Sequence, residues 1–384
     1  MKEVLEIINL PSSARNFIGD QFSFLQKHGD YRMHLICSYD KAMDAFVGEQ
    51  GIQYQAVKIS RQIDIISDIK ALVQICKYIR KNKIDIVIAH QAKSRMLGML
   101  ACLIMRVPNR VIFAHGVLYE TMTGVKRWGV KQTDRMVSCI ADKVVCVSHY
   151  VKDLRIKDHI DKPNKSVLLG YGSCNGIDTQ HQFNPSLYGE STIQSLRKKY
   201  GIGEDDYIVG FCGRLVRDKG IIELVEGFSE LVKRYPSEKI KLFIIGNPEV
   251  RDGLPSEIIA YLKEGKDIIY AGTVPYKDIA AYYCLMNVLV LPTRREGLGM
   301  VALEASAMER PVLVTSFTGG AETIQDGVTG SYIELTGKSI ADKLSEYKNK
   351  EYAENIGKAG RRYVQERYER TIVNEAMLDF LNGL

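Results

Sequence analysis

The amino-acid sequence predicts two doubly wound α/β domains in tandem. Its 384 residues are enough for two domains of ordinary size. Short β-branched runs alternate with helical stretches along the chain, which is typical of parallel sheets built from βαβ units. A segment rich in Gly, Ser, Asn and Pro, residues 171–185, interrupts this alternation. We place the domain boundary there, because these residues favour turns.

The first series of predicted strands precedes this segment. The strands are short apolar runs at residues 4–9, 31–37, 84–90, 110–115 and 143–148. Residues 65–81 show helical periodicity, and we expect their apolar stripe to pack on the sheet. The stripe consists of Ile66, Ile69, Leu72, Val73, Ile75, Cys76 and Ile79.

A second series of strands follows the boundary. These strands are predicted at residues 207–213, 240–246, 267–272, 287–292 and 311–315. The remaining segment, residues 339–384, predicts consecutive helices without another strand. We expect these helices to brace the two domains.

Composition excludes several classes of protein. Hydrophobic residues make up 46% and charged residues 26%, as in soluble globular proteins and unlike disordered chains. No apolar run approaches the roughly 20 residues that cross a bilayer, and the N-terminus lacks the pattern of a secretion signal. The eight cysteines show no CxxC pairing, which disfavours zinc sites and disulfide frameworks. We therefore expect a cytoplasmic protein.

Charge is distributed unevenly along the chain. Residues 1–180 have a net charge of +9, whereas residues 181–384 have a net charge of −3. A basic half indicates an anionic partner, which is a nucleic acid, a phospholipid surface or a phosphate-bearing substrate. An ordinary solvated basic face is the alternative.

Two cations follow the first strand of the second series. Arg214 comes directly after the strand at 207–213, and Lys219 precedes Gly220 at a predicted helix start. Ligands of open α/β sheets bind outside the carboxyl ends of the strands. Arg and Lys at this position suit a diphosphate, and solvated surface cations are the alternative.

A glycine-rich turn follows the strand at 287–292. It consists of Gly297, Leu298 and Gly299, and we expect a helix to begin near Met300. Glycines allow a ligand to approach the backbone closely, and the first amides of a helix favour an anion. The turn is therefore a second candidate phosphate contact.

Two carboxylates flank this turn. Glu296 precedes it, and Glu304 lies within the predicted helix. Carboxylates accept hydrogen bonds from vicinal hydroxyls, so one nucleotide sugar could contact Glu296 with its sugar and Glu304 with its ribose. The alternative for Glu304 is a first-turn carboxylate that the helix dipole stabilises.

Histidines end two strands of the first series. His115 ends the strand at 110–115 and precedes Gly116, and His90 closes the strand at 84–90. We regard His115 as a candidate site residue, with a structural histidine as the alternative. In the second half, Gly319 and Gly320 are predicted to cap a short helix whose first turn includes Glu322.

Several catalytic motifs are missing from the sequence. It contains no HExxH, GxSxG, Walker A or GxGxxG motif, which argues against zinc proteases, serine hydrolases, P-loop ATPases and standard NAD enzymes. No apolar strand ends in Asp-x-Asp, so we expect no site for a catalytic divalent cation.

The remaining motifs form a joint pattern. In the second half they are GRLVRDKG at 213–220, REGLGMVALEA at 295–305, PVLV at 311–314 and TGGAETI at 318–324. In the first half the segments at 89–101, 110–116, 143–152 and 172–178 belong to the same pattern. Together they resemble the glycosyltransferases of family 4, and in particular the bacterial members that build capsules, O-antigens and other surface polysaccharides. The similarity extends over most of the chain.

This resemblance implies a GT-B fold, in which two Rossmann-like, doubly wound domains face each other across a cleft and C-terminal helices bridge them. Residues 1–182 would form the acceptor domain, residues 183–365 the nucleotide-sugar donor domain, and residues 366–384 a helix that packs back toward the first domain. It implies retaining, metal-independent transfer from a nucleotide-diphosphate sugar, with a UDP-sugar preferred, to a glycan acceptor. No cofactor is expected, because the nucleotide sugar is a substrate.

The resemblance also implies roles for the candidate residues. Glu296 would bind hydroxyls of the donor sugar and Glu304 the ribose. Arg214 and Lys219 would neutralise the departing diphosphate, assisted by the amides of Gly297 to Met300. Glu296 as a covalent nucleophile is the less favoured alternative, because its carboxylate partner lies too far along the chain.

Further roles concern the sugar, the base and the acceptor. His115 would contact a sugar hydroxyl, and its carbonyl would steady positive charge at the anomeric carbon. Val274 would lie near the base. The family often has Gly-Gly in the loop after the first strand, where this chain has Ser12 and Ser13. We expect Ser12 and Ser13 to supply the contacts from that loop to acceptor or diphosphate in place of the glycines.

The acceptor of related enzymes is commonly a glycan on a polyprenyl diphosphate, so a basic first domain would meet anionic lipid. The segment 124–139 places four basic residues around Trp128, a combination suited to a membrane interface. We expect a cytoplasmic enzyme with peripheral contact to the inner membrane face, and a fully solvated helix is the alternative. Two other functions are weighed: a GT-B epimerase or hydrolase of nucleotide sugars, and a basic nucleic-acid-binding module.

Overall fold

Two units make up the chain, and each contains one parallel sheet. The computed structural model describes residues 1–60, 64–249 and 253–384. The first unit comprises Met1–Gly176 and Thr371–Leu384, and the second comprises Ile177–Arg370. Main-chain hydrogen bonds join the first and last residues of the second unit. The Ile177 N–H donates to the Tyr368 carbonyl, and the Arg370 N–H donates to the Ile177 carbonyl.

Seven strands form the sheet of the first unit, in the order β3-β2-β1-β4-β5-β6-β7, and all neighbours are parallel. Alternating crossovers of this kind are the doubly wound pattern. The strands are β1 (Lys2–Ile7), β2 (Tyr31–Cys37), β3 (Gln53–Ala56), β4 (Ile86–Ala89), β5 (Asn109–Ala114), β6 (Lys143–Cys146) and β7 (Ser166–Leu168).

Helices connect these strands. They are α1 (Pro11–Ile18), α2 (Gln21–His28), α3 (Ala42–Gln50), α4 (Ile65–Asn82), α5 (Ala92–Met105), α6 (Gly124–Ile140) and α7 (His149–Lys157). Side-chain caps begin two of them: Asp64 accepts from the Ser67 N–H at α4, and Ser148 accepts from the Val151 N–H at α7.

The apolar stripe predicted on α4 is only partly buried. Ile75 and Ile79 are buried, but Ile66, Ile69 and Val73 are 70%, 57% and 47% exposed. The prediction that the whole stripe packs on the sheet is therefore wrong for the first half of the helix. Periodicity shows that a face is apolar, but not that a neighbouring element covers it.

Six parallel strands form the sheet of the second unit, in the order β10-β9-β8-β11-β12-β13. This confirms the predicted fold class, with a doubly wound sheet in each half. The strands are β8 (Tyr207–Cys212), β9 (Ile240–Ile245), β10 (Ile268–Gly272), β11 (Val288–Leu291), β12 (Val312–Thr315) and β13 (Ser331–Ile333).

The helices of the second unit and of the C-terminus follow in order. They are α8 (Glu190–Tyr200), α9 (Ile221–Arg234), α10 (Ser256–Glu264), α11 (Ile279–Tyr283), α12 (Met300–Ala307), α13 (Gly337–Glu346), α14 (Lys350–Arg367) and α15 (Arg370–Asn382). The short helix predicted near Gly319 is a 3-10 helix, Gly319–Thr323, with Glu322 in its first turn. The consecutive C-terminal helices are also confirmed.

Within the described residues, no helix combines the length and apolar content needed to cross a lipid bilayer.

Candidate functional site

The strand order places a switch point in each sheet. β8 lies beside β11 in the second sheet, and β1 lies beside β4 in the first. Connections leave such a pair toward opposite faces of the sheet, which opens a crevice at the carboxyl ends of the strands. Residues just after these strands are therefore the first candidates for ligand contacts.

Lys219 and Glu296 form an ion pair at the switch point of the second sheet. Lys219 follows β8, Glu296 follows β11, and Lys219 Nζ lies 2.5 Å from Glu296 Oε2. The side chains are 16% and 19% exposed. The structure thus brings together two residues that the sequence predicted separately, and leaves both accessible to a ligand.

Close backbone contact fixes the loop after β8. Arg217–Lys219 form a 3-10 helix, and Gly220 ends it with a left-handed φ of 65°. A Cβ atom at Gly220 would lie 1.7 Å from the Pro292 carbonyl oxygen, so only glycine fits. The Arg294 N–H donates to the Asp218 carbonyl at 2.8 Å. The loops after β8 and β11 are therefore joined through their backbones.

The glycine turn before α12 is tightly packed. Gly297, Leu298 and Gly299 are buried, and Gly299 precedes α12 with a φ of 86°. A Cβ atom at Gly319 would lie 1.9 Å from the Gly297 carbonyl oxygen. α12 begins at Met300, as predicted, so the positive end of its dipole lies at this turn.

Glu304 lies in the interior of the second unit. It is 5% exposed, and the Tyr283 hydroxyl donates to its Oε2 at 2.7 Å. Burial raises the pKa of Glu304 to about 7, and hydrogen bonds from Tyr283 and Tyr276 oppose this rise. Glu304 is the fifth residue of α12, so the alternative of a first-turn carboxylate is wrong. Tyr283 was not predicted, because its contact joins two separate helices.

Arg214 stands apart from the Lys219–Glu296 pair. Its guanidinium pairs with Glu249 at 3.0 Å, and its side chain is 55% exposed. An exposed pair of this kind is weak and can exchange its partner for a ligand anion. Arg214 is therefore accessible at the end of β8 but is not held in a fixed position.

Val274 follows β10, at the edge of the second sheet. β9 separates β10 from β8, so Val274 lies two strands away from Lys219. A side-chain network orders this edge: Tyr270 donates to Asn247 Oδ1, and Asn247 Nδ2 donates to Thr273 Oγ1, both at 2.7 Å.

In the first unit, the half-buried His115 belongs to a cluster of stacked rings. It follows β5, and its Nε2 lies 2.8 Å from Nδ1 of His90, which follows β4. Phe17 of α1 stacks on the His115 ring at 4.0 Å, and Phe113 stacks on His90 at 5.1 Å. Desolvation by burial, and then the charges of His90 and Arg95, lower the pKa of His115 well below its usual range.

Ser12 and Ser13 belong to the first turn of α1 instead of an open loop. Pro11 begins this helix, because proline has no N–H to lose at a helix start and its φ is already helical. The sequence therefore placed these residues correctly after β1 but assigned them the wrong local structure. It also missed Phe17, whose contact with His115 depends on this helix.

Among the described residues, His90, His115 and Cys174 bring three potential metal ligands within 4.8 Å of one another. Their geometry is that of a hydrogen-bonded cluster. The two ring nitrogens are 2.8 Å apart, whereas two nitrogens bound at about 2.0–2.1 Å in a tetrahedral site are roughly 3.3 Å apart. The Cys174 thiol donates to the Phe17 carbonyl at 3.3 Å.

Comparison with known families assigns both units. Residues 192–363 match the family described as glycosyl transferases group 1. Residues 6–148 match the family described as glycosyl transferase 4-like. The second match includes His90 and His115, and the first includes the Lys219–Glu296 pair.

Two named relatives match most of the chain. The capsular polysaccharide biosynthesis glycosyltransferase CapM of Staphylococcus aureus is 30% identical over 364 residues, which cover 94% of this chain and 92% of that protein. The UDP-Gal:alpha-D-GlcNAc-diphosphoundecaprenol alpha-1,3-galactosyltransferase of Escherichia coli is 24% identical over 336 residues, covering 86% and 83%.

Solved structures show the same fold. HepE of Anabaena, in complex with UDP and glucose, superposes with a TM-score of 0.80 at 16% identity and covers 100% of both chains. A glycosyltransferase from Rickettsia africae superposes with a TM-score of 0.78 at 19% identity, covering 99% of this chain and 97% of the other.

Proposed function

The chain belongs to the family 4-like glycosyltransferases, and from this membership we propose that it transfers a sugar, with retention and without a metal, from a UDP-sugar to a lipid-linked glycan. The observation that supports this most is the Lys219–Glu296 pair beside the N-terminus of α12. A cation, a carboxylate and helix amides at one switch point suit the charged and hydroxyl-bearing parts of a sugar diphosphate.

The names of the relatives support the finer parts of this proposal. One acts in capsular polysaccharide biosynthesis, and the other uses UDP-Gal and a sugar on diphosphoundecaprenol. We therefore assign the chain to surface polysaccharide synthesis, with a UDP-sugar as donor and a polyprenyl-diphosphate-linked glycan as acceptor.

The donor contacts follow from charge and burial. A diphosphate gives Lys219 a stronger anion to bind than Glu296, which leaves Glu296 to accept hydrogen bonds from sugar hydroxyls. Arg214 exchanges Glu249 for the diphosphate, and the Gly297–Met300 amides assist. Glu304 accepts from the ribose hydroxyls, and Val274 contacts the base.

Transfer separates a positive sugar from a negative leaving group. Lys219, Arg214 and the α12 amides stabilise the departing diphosphate, and the His115 carbonyl stabilises the anomeric carbon. The acceptor hydroxyl loses its proton to the leaving phosphate and forms the new glycosidic bond on the same face, which retains the configuration. Ser12 and Ser13 contribute acceptor or diphosphate contacts from the first turn of α1.

A panel of nucleotide sugars tests this function. The full-length protein is mixed with each donor, and binding is measured as a rise in melting temperature, which a ligand of the folded state produces by mass action. Transfer to a lipid-linked acceptor is then followed by NMR of the anomeric proton. Acceptor-independent loss of donor would instead indicate an epimerase or hydrolase, and strong loss of rate with EDTA would contradict metal-free transfer.

Donor affinity should depend on the ionisation of Glu304. Its pKa of about 7 means that the carboxyl is mainly neutral at pH 6 and ionised at pH 8. Only the ionised form accepts from both ribose hydroxyls, so we expect the Kd of a UDP-sugar to be about tenfold higher at pH 6 than at pH 8. Isothermal titration calorimetry measures this Kd at both pH values. The diphosphate of the donor does not titrate between them, so it does not contribute to the difference.

The Glu304→Gln protein is the control for this prediction. Its amide keeps the shape of the side chain but has no proton to lose, so its Kd should be the same at both pH values. Equal pH dependence in the two proteins would remove Glu304 from the ribose site.

Membrane contact should be visible through Trp128, the single tryptophan of the chain. It is 64% exposed on α6, next to the exposed Lys126 and Arg127. We expect its fluorescence to shift to the blue with phosphatidylglycerol vesicles and not with phosphatidylcholine vesicles, because indole enters the interface while cations attract anionic lipid.

Charge reversal tests the same surface. The double variant Lys126→Glu, Arg127→Glu should lose vesicle binding in a sedimentation assay. The matched reversal of Arg80 and Lys81, exposed near the C-terminus of α4, should leave it unchanged. Equal binding to neutral and anionic vesicles would contradict the proposed contact.

A further inference from the structure

A pocket opens in the second unit at the amino ends of β11 and β12. Asn287 directly precedes β11, and Pro311 directly precedes β12. The pocket has a volume of about 380 Å³, which is within the range of small-molecule sites. Lys219 and Glu296 follow the carboxyl ends of β8 and β11, so the pocket lies at the opposite edge of the same sheet. It is therefore separate from the candidate donor site.

Positive charge is concentrated around this pocket. Cations outnumber acids among the side chains that line it, which gives the lining a net charge of +2. The cations are Arg310, Lys348, Lys350 and Lys358, and the acids are Glu309 and Glu354. Residues 181–384 as a whole have a net charge of −3. A basic pocket within an acidic half of the chain indicates an anionic ligand.

Main-chain carbonyls hold the half-buried Arg310 in place. Its Nε donates to the Met308 carbonyl at 3.0 Å, and its Nη1 donates to the Met286 carbonyl at 3.2 Å. Among the described residues, no carboxylate forms an ion pair with this guanidinium. Arginine has five N–H groups, so several of them are left for a ligand in the pocket.

Asn287 presents a second fixed donor. Its Oδ1 accepts from the Ile208 N–H at 2.7 Å, and its own N–H donates to the Ile208 carbonyl at 2.9 Å. Because the side-chain oxygen is held by the backbone, the amide nitrogen remains as a hydrogen-bond donor at the pocket. The Arg310 guanidinium binds the carbonyl of the preceding residue, Met286, so both fixed donors lie at the same end of β11.

Close packing of α14 completes the pocket. A Cβ atom at Gly357 would lie 2.2 Å from the Glu309 carbonyl oxygen, so this helix contacts the chain directly beside Arg310. α14 begins at Lys350, which lines the pocket, and the positive end of the helix dipole lies there. The pocket is therefore shaped by backbone contacts and not only by long side chains.

The three lysines of the lining differ in their availability. Lys348 is paired with Glu238. Lys350 lies 3.9 Å from Glu354, and both side chains are exposed, so this pair is weak. Lys358 has no ion-pair partner in the part of the chain that the structure describes. Lys350 and Lys358 are therefore available to a bound anion.

We propose that this pocket binds the phosphate or diphosphate group of a soluble small molecule. Arg310 and Asn287 donate to the phosphate oxygens, and Lys350 and Lys358 balance the charge from α14. No large apolar side chain is exposed among the described residues of the lining, and this favours a soluble molecule over a lipid. The site goes beyond the proposed function, which uses the other edge of the sheet.

Hydrogen-exchange mass spectrometry of the full-length protein with inorganic pyrophosphate locates the site. We expect protection of peptides that contain residues 285–288, 309–312 and 347–351. The Lys219→Ala protein should show the same protection, because Lys219 lies at the other edge of the sheet. Protection confined to residues 213–220 and 297–303 would overturn the proposal. Protection of the pocket by phosphatidylglycerol vesicles and not by pyrophosphate would also overturn it.

Variants of the fixed donors test how the anion is bound. In Asn287→Asp, Oδ1 still accepts from the Ile208 N–H, but a carboxylate oxygen replaces the amide donor and repels the anion. We expect the Kd of pyrophosphate to rise at least about tenfold, measured by isothermal titration calorimetry in the Lys219→Ala background to weaken the donor site. Arg310→Gln should raise this Kd about 10–100-fold, because charged hydrogen bonds are lost.

Folding does not confound these variants, because Asn287 is exposed and keeps its backbone contact, and thermal unfolding verifies both proteins. An unchanged Kd in Asn287→Asp would overturn the proposal.

A pair of lysine variants separates the pocket from general surface charge. Lys358→Gln should raise the Kd about two- to fivefold, as for an exposed charge contact. Lys263→Gln is the matched control, because Lys263 is exposed on α10 and does not line the pocket. Its Kd should equal that of the background protein. Equal weakening by the two variants would show attraction by surface charge alone and overturn the proposal.

Discussion

Replacing Lys219 by alanine should lower kcat by at least about a hundredfold while the protein remains folded. In the proposed function the Lys219 ammonium stabilises the leaving diphosphate, and removing one preorganised charge contact of this kind typically costs about 10²–10³ in rate. The variant also leaves Glu296 without its partner, so that a carboxylate faces the diphosphate. Steady-state transfer kinetics at saturating donor measure the effect, and thermal unfolding confirms the fold.

Lys241→Ala provides a matched control for this variant. Lys241 pairs with Asp206 at 2.6 Å, near the amino ends of β9 and β8, whereas Lys219 follows the carboxyl end of β8. The control therefore removes a lysine–carboxylate pair from the same sheet at the edge away from the proposed site. We expect its kcat to match the wild type. A Lys219→Ala protein that kept most of its rate would remove Lys219 from the mechanism.

Replacing Glu296 by alanine should also lower kcat/KM by about 10²–10³. The carboxylate is proposed to accept hydrogen bonds from hydroxyls of the transferred sugar, and charged hydrogen bonds are the stronger ones. Glu296→Gln keeps the shape but loses the charge, so its rate should lie between those of Glu296→Ala and the wild type. The same transfer assay measures all three proteins.

A surface glutamate and a double variant complete this test. Glu230→Ala removes an exposed partner of Arg234 on α9 and should leave the rate unchanged. Because Lys219 and Glu296 are in contact, the double alanine variant should lose less than the sum of the single effects in free energy. Full wild-type rate in Glu296→Ala would exclude this residue from donor binding.

Residues at strand ends were the part of the site that sequence could predict. Lys219, Glu296 and His115 follow apolar runs that were readily predicted as strands. Within each sheet, parallel strands bring their carboxyl ends to one edge. The start of α12 at Met300 was also predicted, because Gly299 precedes it.

Contacts between distant segments could not be predicted in the same way. Tyr283 reaches Glu304 from another helix, and Phe17 reaches His115 from α1, so neither contact leaves a local pattern. The strand β3 was not predicted, because it has only four residues and these are largely polar.

The glycines that lock the loops of the second unit also bear on the construction of chimaeras between related enzymes. Gly220 meets the backbone of Pro292, and Gly319 meets that of Gly297, at distances that admit no side chain. If only one of these segments were replaced by that of a related enzyme, its backbone would contact a neighbouring loop with which it does not fit. An exchange of these loops between enzymes therefore has to transplant residues 213–220, 292–300 and 318–320 as one block.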